Sequence, residues 1–188
     1  LDAARRGVPE WLLARTDAPP LTLQAQELPA PDRGALLRAS VDGAFAAAVE
    51  LRAVAATASP AAWAPVRIAL GASDEPLSLG ALSLTDHLVF RDLTTRAGAL
   101  VVALEQLSPA RRLPWLLRYL SSLHDIFSAP CRCCGFHLRA ATLGPATMLP
   151  PTVRCPKLHA YHPACFQQSR GLSAEAEMVR AIGEAAAA

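Results

Sequence analysis

The chain of 188 residues carries a formal net charge of +2 and a hydrophobic fraction of 52%, much of it alanine, with aromatic residues at only 5%. That length suits one core with an appendage, and a charge so close to zero excludes the broad basic field that neutralises a run of phosphates. The longest alanine-rich run, Gly43 to Ala56, is broken by Glu50 and Arg52, so a membrane partner is not expected: no segment has the roughly 18 unbroken apolar residues of a span.

From the first residue, Leu1, no charged stretch followed by an apolar one is visible, so a signal peptide is not expected. Residues 1–17 set Trp11, Leu12 and Leu13 beside charges and are stopped by Pro19 and Pro20, which reads as a helical arm or linker. Pro29 and Pro31 close a second irregular stretch, and Gly34 to Ala47 is open to helix or to the approach of a strand. Val49 to Val54 alternates apolar and polar residues, and Val66 to Leu70 does so more weakly; both read as half-buried strands. Gly71 to Gly80, with Asp74, Pro76 and Ser78, has turn chemistry and leads to a short apolar patch, Leu82 to Leu84.

From Asp86 the period becomes helical, because Val89, Leu93, Ala97, Leu100, Leu104 and Leu107 recur every three or four residues, with Thr85 or Asp86 as N-cap. Ser108 and Pro109 then offer cap and first-turn proline for a second helix. Its apolar face is Leu113, Leu116, Leu117, Leu120, Leu123 and Phe127, and Pro114 is able to delay its start by a turn. Trp115, Tyr119 and His124 read as packing or surface residues. Ser173 to Ala188 suits a short helix without chemistry.

The expected fold is therefore α+β: short antiparallel strands followed by two packed amphipathic helices and a small C-terminal zinc-knuckle lobe. The expected divisions are an N-terminal arm, linker and helix over 1–42, an α+β body over 43–128, a zinc-finger-like lobe over 129–170 and an extension over 171–188.

All five cysteines lie between Cys131 and Cys165, an odd and clustered set that favours metal over a disulfide scaffold. Cys131 and Cys134 have the two-residue spacing with which one tight turn presents two sulfurs to one metal, and Gly135 tolerates the positive φ of that turn. His162 and Cys165 repeat the spacing after 27 intervening residues. Three thiolates and one imidazole suit Zn²⁺, and four protein ligands leave no open position for an activated water, so a structural site is expected on Cys131, Cys134, His162 and Cys165. Cys133, Cys155 and His159 are the alternative ligands. Cys133 is disfavoured because neighbouring residues point apart, and His159 because its spacing to Cys165 is long. His137 is too close to Cys134 for an easy further contact.

No catalytic or cofactor-binding residue is expected. A nucleophilic cysteine needs a histidine base with an orienting Asp or Asn, yet the segment from Cys131 to Cys165 contains no Asp, Glu or Asn. A reactive thiol at Cys133 or Cys155 is the enzymatic alternative. Arg132, Arg139, Arg154 and Lys157 leave open a module that contacts nucleic acid, although the segment from Ala140 to Pro151 is apolar and ends in proline, unlike a base-reading helix.

The run Asp86-His87-Leu88-Val89-Phe90, the entry Phe127-Ser128-Ala129-Pro130-Cys131 with Cys134-Gly135, the segment Leu149-Pro150-Pro151 and the exit Tyr161-His162-Pro163-Ala164-Cys165 resemble the Mediator subunit 27 family over about the last half of the chain. The resemblance implies a nuclear, non-enzymatic subunit of the coactivator that links transcription activators to RNA polymerase II. It implies packing against other Mediator subunits in the upper tail, and zinc-finger-like residues at Cys131, Cys134, His162 and Cys165. Cys133, an insert around Gly144 to Met148 and the alanine-rich end depart from the pattern.

Overall fold

The structure, a computed structural model, describes residues 21–27, 34–54, 62–77, 85–140, 148–154 and 159–187. Four antiparallel strands, β1 (Thr22–Glu27), β2 (Gly34–Val41), β3 (Phe45–Val54) and β4 (Ala62–Gly71), form one sheet in the order β1-β2-β3-β4. The stretch Gly34 to Ala47, open in the sequence to helix, is strand on both sides of a tight turn. Ala44 N–H donates to Val41 O at 3.1 Å and Gly43 sits at φ 69°, a conformation a Cβ would strain. The β2–β3 hairpin therefore carries one continuous sheet across residues 42 and 43.

In β2, Ala35, Leu37, Ala39 and Val41 point inward while Arg38 is exposed, the period of two expected of a sheet with one buried face. In β3, Phe45, Ala47 and Val49 join the same core. Pro65 is compatible with β4 because β4 lies at the sheet edge. A register shift between Glu50 and Leu51 marks an irregularity where β3 faces it.

Helix α1 (Leu88–Ala103) continues as a 3₁₀ turn, Leu104–Gln106, into α2 (Pro109–Ser121), and both helices lie against β4. Thr94 of α1 caps the sheet edge: its hydroxyl accepts the Leu70 N–H at 2.9 Å and lies 3.4 Å from the Leu70 carbonyl, so α1 covers backbone that a neighbouring chain could otherwise pair with. The N-cap of α1 is His87, not Thr85 or Asp86. Thr85 instead accepts the His87 N–H at 3.2 Å and donates to Glu75 Oε1 at 2.9 Å, tying the loop after β4 to the helix start.

Pro109 occupies the first turn of α2 and the helix starts there despite Pro114. Leu113, Leu116, Leu117, Leu120 and Leu123 are buried as their spacing requires. Phe127 departs from that face. The regular helix has ended at Ser121, and Phe127 is exposed at 44% with its ring edge-on to Phe90. Ile126 takes the core position instead. Leu82 to Leu84 lie outside the described residues.

The lobe follows as two two-residue hairpins, β5 (Arg139–Ala140) with β6 (Met148–Leu149) and β7 (Val153–Arg154) with β8 (Ala160–Tyr161), then α3 (Pro163–Arg170). The C-terminal helix α4 (Ala174–Ala187) packs on α1 and places Ile182 in the main core. Two features join lobe to body. Arg154, with 1% of its side chain exposed, pairs with Asp125 at 2.8 Å, and Phe166 shares a groove with Leu100, Trp115, Tyr119 and Met178. Among the described residues no helix is long and apolar enough to cross a membrane.

Candidate metal centre

The first knuckle is a closed turn. Gly135 N–H donates to Cys131 O at 2.8 Å, Cys131 N–H donates to Phe136 O at 2.9 Å, and Gly135 adopts φ 73°. The second knuckle is the start of a helix: His162 is the N-cap of α3, Pro163 its first residue, and Phe166 N–H returns to His162 O at 2.9 Å. Arg132 N–H donates to Ala160 O at 2.9 Å, which fastens one knuckle to the strand leading into the other.

The Sγ atoms of Cys131, Cys134 and Cys165 and a ring nitrogen of His162 all lie within 4.8 Å of one another. His162 Nδ1 is 3.5 Å from Cys134 Sγ and 3.9 Å from Cys165 Sγ. For a zinc ion with Zn–S of about 2.3 Å and Zn–N of about 2.0 Å, the S···N edge of a tetrahedron is about 3.5 Å. The donors thus already stand near the spacing a zinc ion imposes, and this group of four can hold a metal ion. Its donor set, soft sulfur with one imidazole, fits zinc rather than calcium or magnesium.

The surroundings prepare the ligands. His162 Nε2 is 3.3 Å from the carbonyl of His137; with the proton on Nε2 donated there, the Nδ1 lone pair faces the sulfurs. Burial holds the His162 pKa below its ordinary value, helped by the positive charge of Arg139, so the ring is neutral as a ligand must be. Burial pushes Cys131 up, but hydrogen bonds from the backbone of Cys134, His162 and Cys133 outweigh it, and its thiol lies below the ordinary value. The His162 amide contributes at 3.5 Å from Cys131 Sγ. Without metal, burial followed by the neighbouring thiol of Cys134 pushes Cys165 up to about 12, opposed by Arg139. Cys131 is therefore more readily ionised than Cys165.

Of the remaining sequence candidates, Cys133 is exposed and outside the group, and His159 is half-buried and also outside it; Cys155 lies outside the described residues. Arg154, one of four cations weighed for phosphate contact, is buried and committed to Asp125, which removes it from any such surface. Arg132 is exposed, and Lys157 lies outside the described residues. Two contributors were not legible in the spacing. One is the His137 carbonyl, a backbone atom that no residue pattern announces. The other is Arg139, whose guanidinium donates to Cys165 Sγ. The absence of any acid between Cys131 and Cys165 was the available signal for Arg139, because a thiolate is then the anion nearest to hand in the sequence.

Among curated proteins, none matches the chain. Residues 81–166, just under half of the 188, match the model of the family described as Mediator complex subunit 27. That segment runs through α1 and α2 to the residue after Cys165, and over it the family resemblance carried by the Asp86 run, the Pro130-Cys131 entry and the Tyr161-His162 exit is shown.

Proposed function

We propose that the chain is a non-enzymatic structural subunit of Mediator, acting in the nucleus in RNA polymerase II transcription through contacts with other subunits, those of the tail above all. The single observation that carries this reading is the coincidence of the matched segment with the two helices and all four members of the Cys/His group. RNA polymerase II and transcription activators are then indirect partners.

Within that reading Cys131, Cys134, His162 and Cys165 hold one structural Zn²⁺, which supplies a cross-link between a turn and a helix start and no reactive water. The residues themselves do the rest. The His137 carbonyl orients the imidazole, backbone amides favour the Cys131 thiolate, and Arg139 donates to Cys165. The site ties two short knuckles that lack a large core of their own: the buried cluster beside them is Val153, Tyr161 and Phe166 with the cysteines. Metal affinity thereby becomes folding free energy for the lobe. A direct contact with nucleic acid is weakened by the loss of Arg154 to its ion pair.

The test is co-purification of the tagged chain from nuclear extract with quantitative mass spectrometry. Stoichiometric recovery of Mediator subunits, dependent on Cys131 and Cys165, is expected. Recovery of the chain without any Mediator subunit contradicts the reading.

A further inference from the structure

The buried apolar side chains gather in two clusters, one in the body and one in the lobe, and α4 touches both. Ala174, at its first position, packs against the lobe cluster that holds Phe166 and Cys165, whereas Met178 packs against the body cluster and Ile182 lies inside it. Residues 174, 178 and 182 are four apart, so one stripe of a single helix crosses from lobe to body. On the body side α4 lies against α1 and the 3₁₀ turn, and Met178 shares a groove with Leu100, Trp115 and Phe166.

The start of α4 is also tied to the metal group through the chain. Cys165 and Phe166 stand in the first half of α3, which ends at Arg170 with Gly171 as its left-handed cap, φ 67°, the Gly171 N–H donating to Gln167 O at 2.8 Å. Ser173 then caps α4, its hydroxyl accepting the Ala176 N–H and its carbonyl the Glu177 N–H, both at 3.1 Å. Residues 171–173 span about 10 Å at full stretch, so α4 cannot begin far from where α3 ends. Arg170 adds a charge contact: after Arg180, its charge helps hold the Glu177 carboxyl low. The body's own hold on α4 is narrow. The helix is alanine-rich and 14 residues long, a length at which an isolated helix is marginal in water. Its large apolar side chains are Met178, Val179 and Ile182, and Val179 is exposed. Met178 and Ile182 are left to offset the ordering of the whole helix, so the lobe's grip on the first turn decides whether α4 stays in place.

We propose that α4 is a metal-gated strap: with a metal on Cys131, Cys134, His162 and Cys165 the lobe holds α4 across α1, and on loss of the metal α4 lifts from the body and uncovers the apolar groove at Leu100 and Trp115. The proposal rests on the zinc reading of the four ligands, by which metal affinity folds the lobe, and adds a consequence outside it. The metal state thereby sets whether the body presents a closed surface or an apolar patch of the kind that partner chains bury.

The experiment is hydrogen exchange of the full chain, zinc-loaded and after treatment with EDTA, with bound zinc measured in each sample. Expected on removal of zinc is exchange at least tenfold faster in α4 as well as in the lobe, with β2 and β3 unchanged, and recovery when Zn²⁺ is returned. Ala174→Asp separates the contact from the helix, because an acid in the first turn favours the helix itself. That variant should keep its zinc and yet exchange at least tenfold faster in α4 than the zinc-loaded parent. Three results overturn the gate while leaving the zinc reading in place: α4 exchange indifferent to the removal of bound zinc, loss of protection in β2 and β3 together with α4, or a zinc-loaded Ala174→Asp chain with α4 fully protected. A parent that binds no zinc overturns both.

Discussion

His162 stands 3.3 Å through Nε2 from the backbone carbonyl of His137, a residue three positions beyond the first knuckle. One ring thereby reads the fold of both halves of the site: its Nδ1 faces the sulfurs only while the chain after Cys134 holds that carbonyl in place. The preparation of the ligands is a property of the lobe as a whole.

Arg139→Ala removes the guanidinium that donates to Cys165 Sγ. A zinc ion held by three thiolates and an imidazole would carry net charge of about −1, which this arginine would offset; outer-shell partners of this kind are worth about 10–100-fold in metal affinity. Chelator competition should show faster zinc loss from Arg139→Ala, with Arg139→Lys in between. Identical release from all three proteins would assign Arg139 no part in the site.

Ile182 is fully buried in the main core although the alanine-rich end that carries it promised little. Ile182→Ala should cost about 2–5 kcal/mol by chemical denaturation, through lost burial and a residual cavity. A cost below about 0.5 kcal/mol, the range of surface changes, would mean that α4 is dispensable to the body.

Glu177, buried on α4, has its carboxyl held below the ordinary carboxylate range by hydrogen bonds from Arg180 and by that residue's charge, against the cost of burial. A depressed folded pKa contributes stability that is present above the unfolded value of 4.5 and lost as pH falls through the folded one. Thermal midpoints should therefore fall below pH 4.5, and Glu177→Gln should lower stability at neutral pH while flattening that decline. Parallel curves for the two proteins would contradict the assignment.

A Cβ on Gly71 would stand 2.5 Å from Glu75 Oε2 and 2.6 Å from Leu77 Cδ2. The same Glu75 oxygen accepts the Ala72 N–H at 2.8 Å, and the other accepts the Thr85 hydroxyl, so it is poorly placed to move. Gly71→Ala should destabilise by about 1–3 kcal/mol. A neutral effect in urea unfolding would show the loop after β4 to be freer than its hydrogen bonds imply.

The helices were legible because Leu93, Leu100, Leu104, Leu116 and Leu120 keep a helical period and a large side chain marks each buried position. β1, β2 and the first half of β3 were less so. In β2 and β3 the buried set includes Ala35, Ala39, Ala47 and Ala48, and alanine favours helix locally while saying nothing of burial; sheet pairing overrode that preference. Leu21, Leu23 and Ala25 do alternate on and before β1, but Pro19 and Pro20 just ahead of them read as interruption. At the site, the two short spacings were visible in the sequence. What it could not display was the third dimension: that Arg139 reaches a sulfur, that Arg154 turns inward to Asp125, and that Cys133 is exposed where Cys131 is buried and Cys134 half-buried.

The most direct test of the account is zinc stoichiometry of the purified full chain and its single Cys→Ser variants. One zinc per chain is expected in the parent, in Cys133→Ser and in Cys155→Ser, with loss of the metal and of the folded lobe in Cys131→Ser, Cys134→Ser and Cys165→Ser. A metal-free parent, or zinc that survives in Cys165→Ser and disappears in Cys155→Ser, would contradict it.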